Sequence, residues 1–164
     1  MPKHRRLTRD EPETEGRAGP TLAVGISVGV GFPLLPRARA RDMIGSMPVT
    51  VLLIDDDPSF RQLARRTLAG TRMAVVGEAD TAAAGAQAAR DLKPEVVLVD
   101  VGLPDSDGIA LAHELSALPW RPRVVLTSVD PDAASPDDVE RSGAHGFVPK
   151  HDLPGRGLEL LQDA

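Results

Sequence analysis

Four apolar runs in this chain each end on polar or charged residues that could do chemistry. Val51-Leu52-Leu53-Ile54 runs into Asp55-Asp56-Asp57, and Val96-Val97-Leu98-Val99 runs into Asp100. Val124-Val125-Leu126 runs into Thr127-Ser128, and Phe147-Val148-Pro149 runs into Lys150. Carboxylates hold hard divalent cations, and a carboxylate oxygen can attack phosphorus to form an acyl phosphate. A hydroxyl can donate to a phosphoryl oxygen, and a lysine can neutralise one as a compact charge. These residue types are the equipment for holding a divalent cation and moving a phosphoryl group onto a carboxylate. They can do so only if the chain gathers them in one place.

The elements that would gather them are legible. Apolar runs of this length, separated by helix-like stretches, read as buried parallel strands. Parallel strands point the same way, so their C-terminal ends meet at one sheet edge, where open α/β folds place their sites. Strands are predicted at 49–54, 73–78, 95–100, 123–127 and 146–149. The first helix follows Pro58 and carries a Phe60, Leu63, Ala64, Thr67, Leu68 stripe that Gly70 ends. An alanine-rich helix runs from Thr81 to Leu92, and a third spans 109–118 before Pro119. Ser135-Pro136-Asp137-Asp138 reads as a cap, a first-position proline and a third-position acid, opening a short helix that Gly143 stops. A last helix is expected over 153–161, weakened by Gly155 and Gly157. Five β/α units argue for an α/β fold with a doubly wound sheet.

Composition narrows the classes. The 164 residues suffice for one domain with a sizeable core. Aromatics are 2%, so that core must be built from Val, Leu, Ile and Ala. There is no cysteine, which excludes disulfides and thiolate metal sites and fits a cytoplasmic protein. The net charge of −5 divides into +3 over residues 1–46 and −8 over residues 47–164. An acidic domain does not attract nucleic acid, so DNA binding by this chain is not expected.

Residues 1–46 show no sustained periodicity and carry scattered Pro, Gly and Arg. They are expected to be disordered or a misassigned extension, with translation starting at Met47 or Met43. The apolar stretch 21–35 is broken by glycines and Pro33 and is shorter than the roughly 20 residues that span a bilayer. No membrane association is expected.

The motifs, taken in order, resemble the receiver domain of two-component response regulators. The resemblance covers residues 47–164 and rests on Ile54-Asp55-Asp56-Asp57-Pro58, on the run from Val99-Asp100 through Gly102-Leu103-Pro104 to Asp107-Gly108, on Leu126-Thr127-Ser128, and on Gly143-Ala144-His145-Gly146-Phe147-Val148-Pro149-Lys150. Each is weak alone. The spacings of 45 residues from Asp55 to Asp100, 27 from there to Thr127 and 23 on to Lys150 make the set specific. Val76-Gly77-Glu78-Ala79 is similar to the LuxR/NarL-type subfamily, whose members usually carry a C-terminal helix-turn-helix.

The resemblance implies a flavodoxin-like five-stranded sheet in the order 2-1-3-4-5. It implies Asp100 as phosphoacceptor and Mg²⁺ as cofactor. Asp56, Asp100 and the Gly102 carbonyl would be direct ligands, with Asp55 acting through water. It assigns Lys150 and Ser128 to the phosphoryl group and makes Thr127 the switch hydroxyl, with Phe147 the coupled aromatic. Plain core packing is the alternative for Phe147. Solvated acids at a strand-end turn are the alternative for Asp55 and Asp56. Asp57 reads as a helix cap rather than a ligand.

The implied partners are a sensor histidine kinase or phosphotransfer protein and an unknown output protein. The implied role is signalling rather than enzymatic turnover of a substrate. Three rivals remain. One is a transcriptional regulator that has lost its DNA-binding domain. Another is a hydrolase with an aspartyl nucleophile, disfavoured because such enzymes want an acid where Gly102 stands. The third is a phosphorylation-independent interaction module.

Overall fold

In a computed structural model of the protein, the described residues are 47–162. The reading of residues 1–46 as a disordered or misassigned extension lies outside them. Among the described residues the order is β1 (Val49–Ile54), α1 (Pro58–Leu68), β2 (Met73–Ala79), α2 (Ala82–Leu92), β3 (Val96–Asp100), α3 (Gly108–Ser116), β4 (Arg123–Ser128), α4 (Pro136–Ser142) and β5 (Gly146–Pro149). A tight 3₁₀ turn, Lys150–Asp152, and a second turn, Leu153–Gly157, lead to α5 (Leu158–Gln162). All strands pair in parallel in the order β2-β1-β3-β4-β5, as expected.

The strands read as continuous apolar runs because both faces of the sheet are covered. Alternate residues serve different cores. Leu52, Ile54, Val97, Val99, Val124 and Leu126 pack with Ala82, Ala86 and Ala89 of α2 and Leu111, Ala112 and Leu115 of α3. Val51, Leu53, Val96, Leu98, Val125 and Val148 pack on the other face with Phe60, Ala64 and Leu68 of α1, and with Leu153 and Leu161. The alanines of α2 let that helix lie close to the sheet. Leu63, placed on the α1 stripe by periodicity, is 43% exposed and points away from the core.

Helix ends follow local chemistry. The Asp57 carboxylate accepts from the Ser59 N–H at 2.8 Å, with Pro58 opening α1. Ser135 and Asp138 form a reciprocal capping box, and Gly143 in the left-handed region ends α4 after seven residues. The C-terminal helix differs from expectation. Only Leu158–Gln162 is α-helical, and Leu153–Gly157 forms a wider π-type turn. Pro154 lacks an N–H, and Gly155 and Gly157 each cost about 1 kcal/mol in a helix. Burial of Leu153 and Leu161, worth roughly 1.5–3 kcal/mol each, outweighs that cost and keeps the segment on the sheet.

Candidate functional site

The register sets the site. Ile54 lies opposite Val99, so the chain leaves β1 and β3 side by side, with Asp55 next to Asp100. Asp100 in turn lies opposite Thr127, and Ser128 lies opposite Pro149, one residue before Lys150. All the residues that end the apolar runs therefore meet at one edge.

Asp55 is buried and held at several points. Its N–H donates to the Ala79 carbonyl at 2.9 Å, and its Oδ1 accepts from the Asp57 N–H at 2.9 Å. Its Oδ2 is 2.7 Å from Lys150 Nζ but lacks a well-directed hydrogen bond, so the contact is an ion pair. Burial pushes the Asp55 carboxyl above its ordinary range, against the Lys150 contact and the Asp57 hydrogen bond, and the Asp100 charge adds to the rise. Lys150 Nζ also lies 3.4 Å from Asp100 Oδ2. Burial pulls the lysine down, but the two carboxylates outweigh it and hold the ammonium above its ordinary range. The Phe60 ring, 4.7 Å from Nζ, adds a cation–π contact.

Asp56 is exposed, and one oxygen each from Asp55, Asp56 and Asp100 lie within 4.8 Å of one another. Two unit charges about 4 Å apart repel by about 4 kcal/mol at an effective dielectric of 20. Three carboxylates and one ammonium leave a formal charge of −2, the complement of a divalent cation. The donors are all hard oxygens, which suits Mg²⁺ rather than a thiophilic metal. Gly102 borders the cluster: a Cβ built there would stand 3.9 Å from Asp100 Oδ2.

Thr127 is fully buried, and its Oγ1 has no hydrogen-bond partner. Ser128 is also buried, with its Oγ accepting from the Asp130 N–H at 3.2 Å. Phe147 is half-buried against the core on the α2–α3 face. His145 and His151 are exposed, and neither belongs to a cluster of three or more metal-ligating groups among the described residues.

The loop from Asp100 to Gly108 is tightly fixed. The Gly108 N–H donates to the Val101 carbonyl at 2.9 Å. A Cβ at Gly108 would lie 2.0 Å from the Asp100 carbonyl oxygen, so only glycine permits this approach. Sequence reasoning missed Asp105. Its carboxylate accepts from the Ala82 and Ala83 N–H groups at 2.7 and 3.0 Å, while Thr81 Oγ1 takes the Ala84 N–H. The first three donors of α2 are thus satisfied, and the loop is tied to a neighbouring helix. These hydrogen bonds, that from Ala83 foremost, hold the Asp105 carboxyl below the usual range. The adjacent Pro104 signalled a turn but not the helix it would cap.

Response regulator GacA of Pseudomonas aeruginosa is 33% identical over 117 residues, 71% of this chain and 53% of its own length. The nitrate/nitrite response regulator protein NarL of Escherichia coli is 29% identical over 123 residues, 74% of this chain and 57% of its own. This chain thus spans about half the length of the curated relatives it matches. The solved signal receiver domain of a response regulator NarL from Mycobacterium tuberculosis superposes with a TM-score of 0.63 at 30% identity, over 72% of this chain and 96% of that one. The response regulator receiver domain family matches residues 51–161, well over half the chain, and this protein belongs to it.

Proposed function

We propose that residues 47–164 form a phosphoacceptor receiver that takes a phosphoryl group onto Asp100 and thereby switches a protein-binding surface. The donor is the phosphohistidine of a sensor histidine kinase or phosphotransfer protein, or a small phosphodonor. The observation that carries this reading is the surrounding of buried Asp100: a lysine ammonium at 3.4 Å, two further carboxylates, and an unpartnered Thr127 hydroxyl on the paired strand.

In the reaction an Asp100 carboxylate oxygen attacks phosphorus. The P–N bond to the donor imidazole breaks, and its electron pair stays on the imidazole nitrogen. Lys150 holds charge beside the incoming phosphoryl oxygens. Asp56, Asp100 and the Gly102 carbonyl would hold Mg²⁺, with Asp55 assisting through water. Bound there, Mg²⁺ supplies charge neutralisation and alignment of the phosphoryl oxygens. Thr127 then donates its hydroxyl hydrogen to a phosphoryl oxygen, and Ser128, small, leaves room for the group. Movement of Thr127 favours an inward Phe147 and shifts a two-state equilibrium of the nearby surface. Water later cleaves the acyl phosphate, which returns the carboxylate and inorganic phosphate. The role is signalling in the cytoplasm, not turnover of a substrate.

Coverage of about half of relatives named as transcriptional regulators supports a second reading, in which this receiver controls a transcription-regulating partner or half. Net charge of −8 over residues 47–164 argues that the receiver itself does not bind DNA.

Intact mass tests the proposal. Incubation with Mg²⁺ and acetyl phosphate should add one phosphoryl group, chelator should prevent it, and Asp100→Asn should abolish it. Persistent labelling of Asp100→Asn at another aspartate would overturn the assignment of Asp100.

A further inference from the structure

The acids at the end of β1 are flanked by an arginine that neither the sequence motifs nor the proposed chemistry uses. Arg61, on the first turns of α1, donates from Nη1 to the backbone carbonyl of Asp55. Its Nε donates to Glu78 Oε2 at 3.1 Å, and Arg65 Nη1 reaches the other Glu78 oxygen at 3.0 Å. Arg61 and Glu78 side chains are 18% and 19% exposed, so the pair is largely shielded from water. Glu78 sits near the end of β2, the edge strand beside β1.

We propose that Arg61 is a positioning residue for the cation site, fixing the peptide between Asp55 and Asp56. This rests on the reading that the acidic cluster holds Mg²⁺. The Asp55 N–H is already held by Ala79, and its carboxylate by the Asp57 N–H and Lys150. The Asp55 carbonyl was the remaining free point, and Arg61 takes it. That carbonyl shares a peptide plane with the Asp56 N–H, so its orientation sets the direction in which the Asp56 side chain leaves the strand. Asp56 is exposed and has no side-chain hydrogen bond of its own to do this.

A bare guanidinium would repel a nearby cation, so its removal would tighten cation binding. Here the Glu78 carboxylate, shared with Arg65, offsets only part of the guanidinium charge, so the charge-keeping Arg61→Lys is the variant that reads positioning alone. Positioning needs the planar fork of arginine, because one side chain must serve the carboxylate and the carbonyl together. A lysine ammonium keeps the charge and loses that geometry.

The test is Mg²⁺ titration of the full chain, followed by backbone amide shifts of Asp56 and Gly102. Trp120 precedes β4 and lies at the far end of the strands, so its fluorescence is not the probe. Arg61→Gln and Arg61→Lys should each raise the Mg²⁺ Kd about tenfold, the low end for residues that orient a ligand. In chelator both should displace the Asp56 amide resonance while the domain still melts cooperatively. Wild-type affinity in both variants overturns the proposal, and so does full recovery by lysine, which would mean charge alone matters. If the glutamine variant does not fold, Arg61→Lys and Glu78→Gln decide by the same readout. No Mg²⁺ binding by the wild-type protein would instead overturn the cation site itself.

Discussion

The Thr127 hydroxyl is fully buried and unpartnered while its strand neighbours are apolar or carboxylate. An unmet buried hydroxyl costs roughly 1–3 kcal/mol. Thr127→Val keeps the shape and removes that cost. Without phosphodonor the valine variant should be more stable by about 1 kcal/mol, at the low end of that range. With phosphodonor it should still label at Asp100 but lose much of the change in partner affinity, which is typically about 1–3 kcal/mol for such coupling. Denaturant unfolding and partner titration check the two halves. A destabilised valine variant would mean the hydroxyl already has a partner. The acids, the hydroxyl and Lys150 were legible in the sequence because each ends an apolar run. Arg61 and Asp105 were not, because their partners are a backbone carbonyl and two backbone N–H groups on other elements. No spacing in the chain encodes which amide a surface side chain will meet.

At the scale of elements, strands and helix starts follow from runs and caps, and the capping box of α4 is where Ser135 and Asp138 place it. The C-terminal segment shows why helix geometry is harder to read. Its apolar residues suit a helix, but Pro154 and two glycines let the backbone widen so that Leu153 reaches the core. The contact between α3 and β3 was signalled only by a glycine, and its reason is steric. The Cβ of Gly108→Ala would fall 2.0 Å from the Asp100 carbonyl oxygen, which is backbone and cannot rotate away. Overpacking of this kind costs typically about 1–3 kcal/mol, and the upper end is expected here because backbone must shift. The same shift moves Asp100, so phosphoryl uptake should fall as well. Thermal unfolding and intact mass measure both. An alanine variant with wild-type stability and uptake would show that the loop tolerates displacement.

At the scale of the molecule, the described residues close a complete architecture. Both sheet faces are covered, α1 and α5 with the turn before it on one side and α2 and α3 on the other. The first strand is secured from its start, since the Val49 N–H donates to the Arg72 carbonyl at 2.9 Å. The side chain of Glu95 accepts from both the N–H and the hydroxyl of Thr50, which fixes β1 against the start of β3. Among the described residues, both cores are built from Val49 onward. The charges also separate there, +3 over residues 1–46 against −8 over residues 47–164. A chain beginning at Met47 should therefore melt cooperatively within about 2 °C of the full chain, a change of less than about 1 kcal/mol. It should take up one phosphoryl group at an unchanged rate. If the basic segment instead leans on the acidic domain, removing it would lower the melting temperature in dilute buffer and much less in high salt, where surface attraction is screened. That salt-dependent loss, or a salt-independent loss from apolar docking of residues 21–35, would show that the receiver does not end at Met47.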